Sequence, residues 1–196
     1  MKRLTLNAAA LCVAFVVLAI LRWTTPGYAV LTGPIPVAGK LGRTIAGRGI
    51  TVEIGDVQFV KSLHYRAYGK TVERASGGVF AVLRASLAAT AASTVVNGIE
   101  WRAPDGVTFA HSRRVEGAAS LLLGKRLQPG LPQEGVFVFE LPQEQLRPEQ
   151  LKGATVLISE VAEPRLDSQA QIRLPPHLEG LISVDGLDLD DLARAR

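Results

Sequence analysis

The amino-acid sequence predicts an all-β domain, a sandwich or a barrel, that follows one N-terminal transmembrane helix. Short stretches of alternating apolar and polar residues recur at nearly regular spacing from residue 50 onwards, separated by Gly, Pro and Asp. An uncharged run also occupies residues 4–21. We therefore expect a signal-anchor transmembrane helix at residues 1–23, a Gly/Pro-rich linker at 24–48, a β-sandwich domain at 49–178, and an acidic C-terminal tail with a short helix at 179–196.

The apolar run has the length of a membrane span. At about 1.5 Å per helical residue it reaches roughly 27 Å, close to the roughly 30 Å hydrocarbon thickness of a bilayer. Lys2 and Arg3 precede it and favour a cytoplasmic N-terminus, so we expect a single-pass protein of the cell membrane with an extracytoplasmic domain. The alternative is a secretory signal comprising residues 4–29 that is cleaved near Gly27 and Ala29, which would make the domain secreted. The run is longer than an ordinary signal core, and this favours retention.

The segment at residues 24–48 is rich in Gly and Pro and has no periodicity. Such a composition predicts an extended spacer between the membrane and the domain. A second interpretation is an ordered strap at residues 28–37 that docks on the domain, because this part contains several apolar side chains.

The strand pattern begins at residue 50. Residues 50–54 and 57–59 alternate on either side of Gly55-Asp56, which predicts two strands with a break or a bulge between them. Residues 79–90, which follow Gly77-Gly78, are apolar on both faces, as in a central strand. Residues 99–111 predict a hairpin that turns at Asp105-Gly106, with Trp101 and Phe109 packed across it. Further strands are expected at 120–123, 135–141, 155–161 and 169–174, a helical turn at 143–150, and a tail helix at 188–196 whose acidic residues come first.

Three of these segments carry a resemblance. They are Gly-Val-Phe-Ala-Val-Leu at 78–83, the Asp-Gly hairpin turn, and Leu-Gln-Pro-Gly at 127–130 followed by Gly-Val-Phe-Val-Phe-Glu-Leu-Pro at 135–142. Together they resemble a family of bacterial extracytoplasmic immunoglobulin-like domains of unknown function, which occur on lipoproteins and anchored surface proteins. The resemblance covers residues 50–174. It implies an immunoglobulin-like antiparallel β-sandwich with a binding or scaffolding role, and it supplies no catalytic residues. The small side chains at residues 85–92 depart from the bulkier strand expected there.

The residue types that carry catalysis or bind metals form no recognisable motif. Cys12, the only cysteine, lies within the apolar run, so the exported part has neither a disulfide nor a thiol nucleophile. His64, His111 and His177 are far apart in sequence, and no serine lies in a nucleophile elbow. We expect no enzyme, no cofactor and no metal site.

An acidic group near the C-terminus invites a calcium interpretation. Asp185, Asp188, Asp190 and Asp191 lack the spacing of a calcium-binding loop. We interpret these residues as acids at the N-terminus of the tail helix.

Charge is unevenly distributed, with a net charge of +9 over residues 1–139 and −5 over residues 140–196. The basic excess of the first part predicts a candidate anion-binding group, Arg113, Arg114, Lys125 and Arg126. The alternative interpretation is a solvated basic face, and the spacing of the basic residues along turns and strands favours it. A possible partner-binding edge comprises His64, Tyr65, Arg66 and Tyr68, because Tyr and Arg are enriched at protein contacts. Nucleic acid is not expected as a partner of an exported protein.

These observations lead to two functional hypotheses. The first is a membrane-anchored extracytoplasmic protein-interaction module, acting as an accessory or assembly subunit of a cell-envelope complex with an envelope protein as partner. The alternative is a ligand-binding module for anionic wall polymer or lipid headgroups.

Overall fold

The chain forms two units, Met1–Gly33 and Pro34–Arg196, in a computed structural model that describes residues 2–175, 182–183 and 186–192. The first unit is helical, with α1 at Lys2–Thr24 and a single turn, α2, at Tyr28–Leu31. Pro26 lies between the two helices and lacks the N–H that would continue α1. Among the described residues, no helix combines the length with the apolar character needed to cross a bilayer.

The second unit is built of strands with a few short helical turns. Its strands are β1 (Ile35–Lys40), β2 (Ile45–Ala46), β3 (Ile50–Ala67), β4 (Lys70–Ala89), β5 (Thr94–Val95), β6 (Gly98–Arg102), β7 (Thr108–Ala110), β8 (Arg126–Leu127), β9 (Gln133–Leu141), β10 (Thr155–Ser159), β11 (Ser168–Arg173), β12 (Ile182–Ser183) and β13 (Leu187–Asp188). Its helices are α3 (Pro148–Leu151) and α4 (Leu189–Leu192), with 3-10 turns at Arg113–Val115 and Gln143–Leu146.

Two sheets form the body of this unit. The smaller has the order β1-β11-β10-β6-β7, and the larger has the order β12-β3-β4-β9, with β2 and β13 also pairing with β3. Trp101 of the smaller sheet packs between Phe59 and Phe139 of the larger, with ring centroids 6.1 and 6.0 Å away. Because all three side chains are buried, the facing sheets enclose one main core. The predicted β-sandwich class is therefore confirmed.

The larger sheet is buried on its outer face as well. Phe80 and Val138 lie on this second face and belong to a separate apolar cluster with Val115, Ala118 and Leu189. These covering residues come from the segment around the first 3-10 turn and from α4. The apolar residues on both faces of residues 79–90 are thus explained, since β4 lies between β3 and β9.

The long β3–β4 hairpin runs through two register irregularities. A register irregularity lies between Ile54 and Asp56, where the sequence predicts a break or a bulge. The structure has the bulge, and β3 continues through it. A second irregularity, between Val60 and Ser62, lies opposite Gly77-Gly78, so β4 also passes through its glycines. Glycine in a strand commonly marks such a bulge rather than an end.

The predicted hairpin at residues 99–111 is confirmed. Trp101 is the register partner of Phe109, as expected. At the turn, the Asp105 side chain accepts a hydrogen bond from the Val107 N–H at 3.0 Å, and Gly106 has a φ of 87°. Asp-Gly supplies the side-chain acceptor and the positive φ that this turn requires.

Three segments differ from the sequence prediction. The second half of the predicted linker contains β1, which pairs in parallel with β11 and packs Val37 against the core. Residues 120–123 form a single bridge from Leu121 to Val136 instead of a strand. In the predicted tail, β12 and β13 pair with β3. The tail helix predicted at 188–196 corresponds to α4 within the described residues, and residues 193–196 lie outside the described part.

Candidate functional sites

The four predicted partner-binding residues surround the tip of the β3–β4 hairpin but do not share one face. Tyr68 lies in the turn and is 94% exposed, whereas Tyr65 is buried and its hydroxyl donates to the carbonyl oxygen of Arg114 at 2.9 Å. His64 Nε2 lies 3.4 Å from Glu73 Oε1, and Arg66 is exposed. Successive strand residues point to opposite faces, so Tyr65 points away from its two neighbours.

Tyr68 stands next to a cleft. Its ring lies beside Gly117, where an added Cβ would come within 3.2 Å of the Tyr68 Cε2 atom. Gly117 belongs to the wall of a cleft of about 750 Å³, between the β6–β7 edge of the smaller sheet and the segment that precedes β8. We call this the His111 cleft. Its charged and titratable lining residues are Glu100, His111, Arg113, Glu116 and Lys125.

The four predicted anion-binding residues are divided by the structure. Arg113 and Lys125 line the His111 cleft, whereas Arg114 and Arg126 do not. Lys125 Nζ donates to the carbonyl oxygen of Ala119 at 2.6 Å, and burial lowers the pKa of the Lys125 ammonium. The cleft also carries two carboxylates, so its formal charges balance.

Arg114 has contacts of a different kind. Its guanidinium donates to Glu140 Oε1 at 2.7 Å and to the carbonyl oxygen of Ala75 at 2.8 Å, and it lies 5.7 Å above the centre of the Phe80 ring. Glu140 also accepts a hydrogen bond from the Ser76 hydroxyl at 2.7 Å. Arg114 therefore ties the 3-10 turn to the larger sheet.

His111 combines a structural contact with a place in the cleft wall. Its ring packs on Phe137 and Phe139, each with 6.3 Å between ring centroids, and its backbone forms a bridge to Phe139 of the larger sheet. Burial lowers the pKa of His111 to about 4, against a weaker raising effect of a hydrogen bond to the Ser112 backbone. The imidazole is therefore neutral at pH 7, and its Nε2 is buried with no hydrogen-bond partner in the structure.

A second cleft, of about 640 Å³, lies on the smaller sheet. It is lined by Ala38, Gly39, Lys40, Leu41, Thr155, Gln171, Arg173, Leu174 and Pro175. None of these residues belongs to a site that the sequence predicts. The sequence contains only a weak indication of this cleft, because Lys40 and Arg173 are simply cations that each end a short strand.

The described residues contain no group of three or more His, Cys, Asp or Glu side chains that could hold a metal ion. In the acidic group, the Asp188 carboxylate accepts a hydrogen bond from the Asp190 N–H, and Asp190 accepts one from the backbone N–H of Arg66. The first of these bonds places Asp188 at the start of α4, as an acidic helix N-terminus predicts. His177 and Asp185 lie outside the described residues.

Comparison with known proteins supports the fold. No protein-family model and no curated protein matches the sequence. The structure is similar to the yjhA protein from Bacillus subtilis, with 17% sequence identity and a TM-score of 0.51 over 69% of this chain and 99% of that one. It is also similar to an uncharacterized β-sandwich protein from Clostridium difficile, with 12% identity and a TM-score of 0.47 over 75% of this chain and 99% of that one. A conserved hypothetical protein from Bacillus anthracis, with 12% identity and a TM-score of 0.40, matches over 65% of this chain and 93% of its own. At 17% identity the likeness to the yjhA protein shows a shared fold alone.

Proposed function

We propose that this chain is a membrane-anchored extracytoplasmic interaction module, with an immunoglobulin-like β-sandwich that serves as an accessory or assembly subunit of a cell-envelope complex. The anchor is inferred from the uncharged run at residues 4–21 behind Lys2 and Arg3. The immunoglobulin-like character rests on the resemblance of residues 50–174. A membrane anchor confines the domain to the surface where an envelope partner resides.

The exposed Tyr68 beside the His111 cleft is the observation that carries the interaction role. A tyrosine that is 94% exposed offers a large apolar area and a hydroxyl group to a partner. The turn that presents it is held by the β3–β4 ladder, in which Ala67 pairs with Lys70. Arg113 and Glu116 in the adjoining cleft can pair with charged groups of the same partner.

In-cell cross-linking tests this proposal. A photoreactive benzoylphenylalanine replaces Tyr68 in the full chain, and a second variant carries it at Leu131, which is 55% exposed. Leu131 is a matched control, because its turn joins β4 at Ala89, the opposite end of the strand from the hairpin tip. We expect a discrete adduct with one envelope protein from position 68 and none from position 131.

A substitution provides the second arm of the test. Tyr68→Ser should abolish co-purification of the cross-linked protein, while Leu131→Ser leaves it unchanged. The same adducts from both positions, or co-purification that survives Tyr68→Ser, would show that the hairpin tip is not the contact surface.

The alternative function, anion binding through Arg113, Arg114, Lys125 and Arg126, has less support from the geometry. Arg114 is engaged by Glu140, Lys125 donates to a backbone carbonyl, and Glu100 and Glu116 line the same cleft as Arg113. The protein-contact function is therefore our conclusion for this surface.

A further inference from the structure

The smaller sheet brings together three cations that are far apart in sequence. Lys40 of β1 is the register partner of Arg173 in β11, Arg173 is the partner of Thr155 in β10, and Thr155 is the partner of Arg102 in β6. Register partners on neighbouring strands project from the same face. With neighbouring strands about 4.8 Å apart, this row of Lys40, Arg173, Thr155 and Arg102 extends across about 14 Å. We call it the cation row.

The cation row faces away from the sandwich core. Each member of the row in β11, β10 and β6 is next to a residue that is buried in the main core. These neighbours are Ile172 before Arg173, Val156 after Thr155 and Trp101 before Arg102. Since side chains alternate along a strand, the cation row lies on the opposite face. In β1, Gly39 occupies the inner position, where a Cβ would clash with the Ile45 side chain, so Lys40 also points outwards.

The three cations have no partner of their own. Within the described part of the chain, the side chains of Lys40, Arg102 and Arg173 make no hydrogen bond or ion pair, and all three residues are exposed. Elsewhere on the same unit, Arg48, Arg114 and Arg165 each lie within 4 Å of a carboxylate. Glu100 shares the outer face but lies in the next row, opposite Leu157 and Ala110.

The second cleft is located at one end of this row. Lys40, Arg173 and Thr155 line it together with Gln171, and no carboxylate occurs among its described lining residues. The remaining wall is apolar and includes Leu41, Leu174 and Pro175. A volume of about 640 Å³ lies in the range of small-molecule sites.

We propose that this cleft binds a phosphate monoester that carries a short apolar group. Adjacent positive charges on Lys40 and Arg173 match the nearly two negative charges of a phosphate monoester at pH 7, whereas a carboxylate supplies one. The Arg173 guanidinium can donate two parallel hydrogen bonds to phosphate oxygens. The Gln171 amide donates one N–H to Gln169 Oε1 at 3.3 Å and has a second N–H for the phosphate, whereas the Thr155 hydroxyl donates to the carbonyl oxygen of Gly153. The apolar group of the ligand then lies against Leu41 and Pro175, which are half-buried residues of the cleft wall. This inference does not depend on the function of the hairpin tip.

Titration of the full chain in phosphatidylcholine nanodiscs tests the ligand chemistry. Hexyl phosphate and hexanoate are the soluble probes, and isothermal titration calorimetry measures the affinity of the chain for each. We expect hexyl phosphate to bind about tenfold or more tightly than hexanoate, and the affinity to fall as salt is raised. Equal affinity for the two probes would overturn the proposal. Failure of both hexyl phosphate and vesicles that contain phosphatidic acid to bind would overturn it as well.

Two variants with the same change of charge locate the site. Lys40→Gln with Arg173→Gln should weaken hexyl phosphate binding about tenfold or more. Lys61→Gln with Arg147→Gln, at exposed positions outside the cleft and outside every predicted binding group, should leave it unchanged. Equal losses in both double variants would show that net charge and not this cleft is responsible. Unchanged thermal unfolding of each variant excludes misfolding as the cause of a loss.

A lipid arm distinguishes the two sources of such a phosphate. The same chain is mixed with phosphatidylcholine vesicles that contain or lack phosphatidic acid. If the chain binds vesicles that contain phosphatidic acid more tightly than hexyl phosphate, the ligand is a lipid headgroup. This vesicle binding must then be weakened in the Lys40/Arg173 double variant. If hexyl phosphate binds at least as tightly as the vesicles that contain phosphatidic acid, the ligand is a soluble phosphate ester.

Discussion

Arg113 and Arg114 are adjacent cations in the sequence, yet the structure gives them different contacts. Arg114 bonds to Glu140 and to the Ala75 carbonyl, whereas Arg113 is an exposed residue in the wall of the His111 cleft. No feature of the sequence distinguishes the two, because the partners of Arg114 lie 26 and 39 residues away. The same limit applies to Tyr65, whose burial against Arg114 depends on a contact 49 residues distant.

This difference predicts different effects of substitution. Arg114→Ala should lower the free energy of unfolding by about 1–2 kcal/mol, a modest figure because the ion pair is partly exposed and screened. Arg113→Ala should change it by less than about 0.5 kcal/mol. Urea unfolding of the full chain in detergent measures both. An equal effect of the two substitutions would contradict the role of Arg114 as a tie between the 3-10 turn and the larger sheet.

His111 predicts a specific loss of stability in acid. Its pKa is about 4 in the folded chain, against 6.5 for an unperturbed histidine, so the unfolded chain takes up the proton first. The neutral, buried His111 therefore costs no stability above pH 6.5. As the pH drops from 6.5 towards 4, protonation of the unfolded chain lowers the free energy of unfolding by roughly 3 kcal/mol. In His111→Phe this contribution disappears, because the replacement ring cannot be protonated.

The measurement is the free energy of unfolding of both chains at pH 7 and pH 4. Carboxylates titrate in both chains, so the difference between them isolates His111. The native chain should lose roughly 3 kcal/mol more than the variant. Parallel losses would show that His111 is solvated in the folded state.

At the scale of elements, local patterns predicted the strands that alternate and the turns that have a chemical signature. Asp105-Gly106 identified its hairpin because an Asp acceptor and a Gly with positive φ are local properties. β1 was predicted as linker because its stability comes from parallel pairing with β11, about 130 residues later in the chain. The Gly77-Gly78 pair suggested a strand boundary, but the structure uses it as a bulge.

The two glycines of that bulge form a matched pair for a test. A Cβ on Gly78 would clash with the carbonyl oxygen of Leu141, whereas a Cβ on Gly77 meets no atom within 4 Å. Gly78→Ala should therefore destabilise the chain by about 1–3 kcal/mol. Gly77→Ala should stay within about 0.5 kcal/mol of the native value. Thermal unfolding of the two variants side by side decides this, and a tolerated Gly78→Ala would contradict the close β4–β9 approach.

At the scale of the whole molecule, the β-sandwich class follows from composition and periodicity, because burying many short strands leaves few other architectures. The ligand cleft could not be predicted in the same way. Lys40, Arg173 and Arg102 become neighbours through the strand order β1-β11-β10-β6, which no local pattern encodes. Conversely, two of the four predicted anion-binding residues, Arg113 and Lys125, line one cleft, whereas their chain neighbours Arg114 and Arg126 do not. Closeness along a chain does not determine which face a side chain occupies.

The proposal on which the rest depends is that α1, through its uncharged residues 4–21, holds this β-sandwich outside the cytoplasm. In a Cys12→Ser background, single cysteines replace the exposed Leu131 and, separately, Lys2. Cells are treated with a membrane-impermeant maleimide before and after lysis. We predict that the cysteine at position 131 is labelled in unlysed cells and recovered in the membrane fraction, while the cysteine at position 2 is labelled only after lysis. Labelling of position 131 only after lysis would contradict it.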